Sequence, residues 1–219
     1  MAAGAGLMRL TRGPRRRLKP DGAVVRTPEE ARIWSNFRAF KAGITGEKGE
    51  ASVREALEAL RVPALHDVIL RDGRGLTQID HVVRAPDAVL VLETKRYAGI
   101  VSGAIDGRAW VQRFDESAER FTLPNPLRQN YQHRRAVEEL IADRAVLVRT
   151  HVVAAGSAVF EGELADTIVP VTALASLLGG TPPVSQRWLD AAWCKLQMAA
   201  ERSLQLREAH RQQVERRPG

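Results

Sequence analysis

An unbroken apolar run, Ala88-Val89-Leu90-Val91-Leu92, lies near the middle of this chain of 219 residues. A run that is apolar on both alternating faces is the pattern of a central strand covered on both sides by helices. Upstream, Leu76 to Val83 is a second β-rich stretch, and the link Arg84-Ala85-Pro86-Asp87 suits a hairpin between the two. Before them, Val53, Leu57 and Leu60 recur at helical spacing in a helix opened by Gly46-Glu47-Lys48-Gly49-Glu50. After them, Asn125-Pro126 reads as an N-cap and a first-turn proline, followed by Leu127, Tyr131, Val137, Leu140 and Ile141 as the apolar positions of a helix running to about Ala142.

The alternation continues. Ala145 to Val148 and Val152 to Ala155 suggest one or two more strands, Thr167 to Val171 another, and a short Ala-Leu helix closes at Gly179-Gly180. Thr181-Pro182-Pro183 breaks the pattern, and Gln186 to about Glu215 reads as a long helix with Trp188, Leu189, Ala192, Trp193, Leu196, Met198 and Ala199 in its first half. That half is expected to dock on the body, and the polar second half to protrude or fray. Residues 28–40, with Ile33, Trp34, Phe37 and Phe40, read as a short amphipathic lead-in helix. These elements predict an α/β fold in three segments: an arm and lead-in helix over 1–43, a domain over 44–160, and an extension of strand and helices over 161–219.

The charged tip of the central run points to chemistry. Glu93 and Lys95 follow Leu92 two residues apart, so they share a strand face, and the predicted hairpin lays Asp80 beside Glu93. Two carboxylates and an ammonium at one place suit a hard divalent cation, Mg²⁺ or Mn²⁺, with the lysine orienting or helping to deprotonate an attacking water and offsetting charge in a phosphoryl transition state. Glu50 shares the stripe of Val53, Leu57 and Leu60, so its carboxylate points inward as a further member; the alternative is a first-turn carboxylate that complements the helix dipole, and Glu47 is its nearest rival. A lone Glu-x-Lys is more commonly an edge ion pair, and the order of the pieces gives it weight. Arginine outnumbers lysine 28 to 5, yet position 95 holds a lysine, whose proton affinity is tunable where that of arginine is not.

Taken in order, Gly46-Glu47-Lys48-Gly49-Glu50, Gln78-Ile79-Asp80-His81-Val82-Val83, Leu92-Glu93-Thr94-Lys95-Arg96-Tyr97-Ala98-Gly99 and Asn125-Pro126-Leu127-Arg128-Gln129-Asn130 with His133 resemble the nuclease-related domain (NERD) family of the PD-(D/E)XK, or restriction-endonuclease-like, superfamily. The resemblance covers about residues 44 to 158, and Ile79 stands where the superfamily's name has proline. It implies a restriction-endonuclease-like core, a central mixed β-sheet flanked by helices, here followed by the long C-terminal helix. It also implies that Asp80, Glu93 and Glu50 are metal ligands, Lys95 the catalytic lysine and Gln129 a supporting residue. Gln129 and His133 lie four apart on one helix face and either approach the scissile phosphate or form a polar flank.

Charge adds a partner. Residues 1–20 carry Arg9, Arg12, Arg15, Arg16, Arg17 and Lys19 with no acidic residue, supplying six of the net seven positive charges. Such an arm suits phosphate backbones, alongside Arg96 and Arg128 within the motifs; the alternatives are a solubility tail or an overlong start, with Met8 a second initiator. Trp34, Trp110, Trp188 and Trp193 read as packing residues, and His81, facing away from Asp80, as structural. The lone Cys194 allows no internal disulfide, and no apolar stretch reaches 18 residues, so a cytoplasmic protein with no membrane partner is expected. The expected activity is a Mg²⁺- or Mn²⁺-dependent nuclease on nucleic acid, with DNA as the substrate, in processing, repair or defence. The alternative is a catalytically silent nucleic-acid-binding or protein-interaction module on the same fold, and the C-terminal helix offers a surface for a second copy or a protein partner.

Overall fold

The computed structural model describes residues 46–216, apart from 74, 116 and 180–185 and the side chains of 117 and 118. The basic arm with Arg12, Arg15, Arg16, Arg17 and Lys19, the lead-in helix and Trp34 lie outside the described residues.

Helix α1 spans residues 46–59 and is followed by strands β1 (Ala64–Asp72), β2 (Gly75–Arg84) and β3 (Val89–Lys95). Strands β4 (Ile100–Ser102), β5 (Ala109–Phe114) and β6 (Ser117–Pro124) precede helix α2 (Pro126–Ile141) and strand β7 (Val148–Ala154). Strand β8 (Val159–Phe160), helix α3 (Leu164–Thr167), strand β9 (Val169–Pro170), helix α4 (Leu174–Leu178) and the long α5 (Arg187–Glu215) complete the chain.

The main sheet has the order β1-β2-β3-β7-β9, with β1, β2 and β3 antiparallel and β3, β7 and β9 parallel. This is a mixed sheet flanked by helices, as the family resemblance implied. In β3, Val89 and Val91 join a core with Val137 and Ile141 of α2 and Leu189, Trp193 and Leu196 of α5. Leu90 and Leu92 face the other way, against Val53 and Leu57 of α1 and Leu174 and Leu178 of α4. Burial on both faces accounts for the unbroken apolar run.

Several expectations need correcting. The periodicity missed β1 altogether, and it missed the second sheet β6-β5-β4-β8, whose short polar strands cover little apolar surface beyond Val101 and Trp110. The two stretches after α2 form one strand, β7, and the strand expected from Thr167 to Val171 shrinks to two residues because α3 occupies its start. Tyr131, Trp188 and Met198, read as inward, are about half exposed.

The largest correction concerns the second half of α5, which neither protrudes nor frays. Ser203 is buried, and its Oγ accepts from the N–H of Ile69 at 2.8 Å, on the edge strand of the main sheet. Ten residues on, Gln213 accepts from the N–H of Leu76 and donates to its C=O, both at 2.8 Å. A polar helix face is held here by backbone groups of β1 and β2 that lack another strand partner, a way of covering a sheet edge that hydropathy cannot report.

Candidate active site

The register of β2 on β3 pairs His81 with Leu92, which carries Asp80 alongside Glu93. Beyond that point the ladder opens, and the N–H of Thr94 donates to Asp80 Oδ2 at 2.7 Å in place of a backbone acceptor. Glu93 shares the face of Val89 and Val91, which α2 covers, and is only 1 % exposed. Two groups meet it there: Lys95 Nζ donates to Oε1 at 2.5 Å, and His133 Nδ1 comes within 3.2 Å of Oε2. Glu93 Oε2 and His133 Nδ1 are both buried and face each other.

Electrostatics separates the two carboxylates. Burial alone would raise Glu93, but contact with His133 and the charge of Lys95 outweigh it and hold the carboxyl below its usual range. Asp80 is pushed up to about 8, first by burial and then by the charges of Glu93 and Glu50, against the opposing N–H of Thr94 and Lys95. Burial would lower Lys95, yet Glu93, Tyr97 and Asp80 raise it above its ordinary value. These carboxylates therefore favour the ammonium form of Lys95 in this arrangement.

Glu50 reaches the same region from α1. Its neighbour Gly49 makes this possible: a Cβ at 49 would lie 3.2 Å from Arg96 Cβ and 3.4 Å from Thr94 Cγ2, so the first turn of α1 lies against the end of β3. Burial raises the Glu50 carboxyl, and Asp67 and Glu93 raise it further. Glu50 and Asp80 line a cleft of about 670 Å³ together with Gln129, His133, Arg128 and Arg108. Glu93 lies behind this lining; Glu47 and Arg96 are exposed and outside it.

Sequence reasoning missed Asp67. It lies between His66 and Val68, which pair with His81 and Ile79, and so stands across from Asp80 with φ +54°, a left-handed conformation rare for a non-glycine residue in mid-strand. Arg54 Nη2 and Gln78 Nε2 each donate to it at 3.2 Å. Because β1 was not recognised, nothing in the pattern brought Asp67 near the tip of β3. Asn130 was also unassigned: its buried amide donates to the C=O groups of His151 at 2.9 Å and Val91 at 3.2 Å, tying α2 to β3 and β7 beneath the site. His81 packs edge-on against His66, their Nδ1 atoms 2.7 Å apart, away from the cleft.

Among the described residues no three His, Cys, Asp or Glu side chains stand together as a ready metal site. The donor chemistry nonetheless fits an oxygen-seeking divalent cation: Glu50 and Asp80 line the cleft with carboxyls that burial and like-charged neighbours, Glu93 among them, hold above the usual range, so that a cation there would favour their ionised form. Glu50, Asp80 and Glu93 are the residues that would hold it.

The model of the nuclease-related domain family matches residues 45–155. An uncharacterized protein of Bacillus anthracis is 38 % identical over 100 residues, 44 % of this chain and 46 % of that protein, so the chain spans under half the length of that relative. No helix of the described residues is long and apolar enough to cross a membrane.

Proposed function

Because the chain belongs to the nuclease-related domain family, we propose that it is a divalent-metal-dependent nuclease, hydrolysing phosphodiester bonds in nucleic acid, with DNA as the expected substrate, in processing, repair or defence. The observation that carries this reading is the meeting of Glu50 from α1 and Asp80 from β2 in one cleft, with the Glu93 and Lys95 pair of β3 directly behind. Bound Mg²⁺ or Mn²⁺ would supply charge stabilisation at the scissile phosphate. The Lys95 ammonium would add to that stabilisation, Gln129 would orient the substrate from the cleft wall, and Arg128 would attract its backbone. His133 and Lys95 together would keep Glu93 ionised.

One observation favours the second reading, a module that binds nucleic acid or protein without turnover: Lys95 and Glu93 already form a closed pair at 2.5 Å, with Glu93 almost fully buried. Cleavage assays separate the two. The full chain with Mg²⁺ or Mn²⁺ should cut nucleic acid, and Lys95→Ala should lower turnover by about 10²–10³ while binding changes only a few-fold, since a group acting on transition-state charge contributes little to ground-state affinity. Equal cleavage by wild type and Lys95→Ala would remove Lys95 from the chemistry. No cleavage by the wild type of single-stranded, duplex or branched substrates would establish the silent module.

A further inference from the structure

Part of the cleft is built by a segment outside the matched residues 45–155. His210 and Val214, in the last turns of α5, line it together with Glu50 and Asp80. This wall is fastened in place. Gln213, between them, holds both backbone groups of Leu76, and Ser203 holds Ile69 further back. The strand has yielded to let the helix in: Gly75 has φ +130°, and a Cβ there would come within 3.0 Å of Gln213 Cδ. The site is thus a walled cleft, with its carboxylates below the rim set by α5.

Its size and lining limit what fits. A volume of about 670 Å³ lies in the range of roughly 300–1,000 Å³ of small-ligand sites, room between the walls for a short piece of one strand and not for the width of a duplex. Arg108 and Arg128 offer charge to phosphates, and Gln78, Gln129 and Gln132 offer amides. No Phe, Tyr or Trp is among the lining residues, so the grip falls mainly on the sugar-phosphate backbone, with little discrimination between bases.

We propose that the tip of α5 makes this a site for a single nucleic-acid strand: an unpaired strand or unpaired end enters between the α5 wall and the Arg108 and Arg128 cations, and a duplex is excluded. This rests on the nuclease reading for what becomes of the strand, but not for which form binds.

The test is fluorescence anisotropy on the full chain carrying Lys95→Ala, in Mg²⁺, with a short labelled single strand and the same sequence as a blunt duplex. The single strand should bind at least about tenfold more tightly. Val214 is about half exposed and His210 only partly buried, so His210→Ala with Val214→Ala should fold normally, checked by circular dichroism, and bring the two affinities within about threefold. Val214→Trp should narrow the cleft and weaken single-strand binding about tenfold. Because the basic residues 1–20 are common to all variants, comparison between variants isolates the cleft. Equal or tighter duplex binding, no binding of either form, or a ratio unmoved by both sets of substitutions would overturn the inference. Wild-type cleavage run in parallel separates it from its premise. Strand-selective binding without cleavage sinks the nuclease reading alone, and duplex cut as fast as single strand sinks the single-strand site alone.

Discussion

The front and back of the candidate site hold the same side chain under opposite electrostatic regimes. At the back, Glu93 is almost fully buried yet held below the usual carboxylate range, because Lys95 and His133 lie against it. At the front, Asp80 is less buried yet pushed up to about 8, because its charged neighbours include Glu93 and Glu50 and its one hydrogen bond comes from a backbone amide. Burial sets the size of the penalty on a charge, and the partners decide whether the penalty is met. The back is a closed ion pair, whereas the front holds carboxyls whose ionised form is disfavoured and would be favoured by a cation.

The contrast breaks most sharply under paired substitutions. Glu93→Gln should destabilise the metal-free fold by about 2–3 kcal/mol, less than the roughly 3–5 of a fully buried pair because Lys95 is 24 % exposed. Asp80→Asn should be neutral or stabilising by about 1 kcal/mol, since burial and the like charges that push the Asp80 carboxyl up to about 8 already favour its neutral form at pH 7.5, and the amide still accepts from Thr94. Chemical denaturation at pH 7.5 without divalent metal measures both. Comparable losses from the two would mean that front and back do not differ as described.

A pH scan sharpens the same point. The folded pKa of Asp80 lies above its unfolded value of 3.8, so its contribution to stability is present at low pH and is lost as pH rises through about 8. Below about 6.5 this is opposed by His81, whose pKa is lowered to about 3 and which must be neutral to fold, so the window to read is pH 6.5–8. In that window the metal-free Tm should fall by several degrees, on the order of 5 °C, and Asp80→Asn should flatten the fall. Millimolar Mg²⁺ or Mn²⁺ should restore it, by about 2.7 kcal/mol when the metal is at a hundredfold its Kd. A Tm that climbs across this window, or no effect of either metal, would remove the need for a cation at the front.

The smallest effect concerns Asp67. Asp67→Asn tolerates the left-handed backbone and loses only a partly exposed pair with Arg54, so stability should change by less than about 1 kcal/mol. The Glu50 carboxyl should nonetheless titrate at lower pH, followed by carbon-detected NMR, because Asp67 is one of the charges that raise it. An unmoved Glu50 would place Asp67 outside the site.

The chain's own pattern determined the central strand, its charged tip and the helices on either side. Apolar residues on both faces of β3 require cover on both faces, a period of two puts Glu93 and Lys95 together, and Asn125-Pro126 starts α2 wherever it packs. The short link from Arg84 to Asp87 also sufficed to lay Asp80 beside Glu93, since a tight hairpin leaves little choice of register. Tertiary structure alone decided what each charge meets. The ionised Glu93 depends on His133 arriving from α2, the raised Asp80 on Glu50 arriving from α1, and Asp67 on a strand with no clear periodicity. The docking of the polar half of α5 depends on Ser203 and Gln213 finding backbone groups in β1 and β2, more than a hundred residues earlier in the chain. Hydrophobic periodicity records which face of an element leaves water; it carries no record of which distant polar group will satisfy another, because that match exists only once the elements are packed.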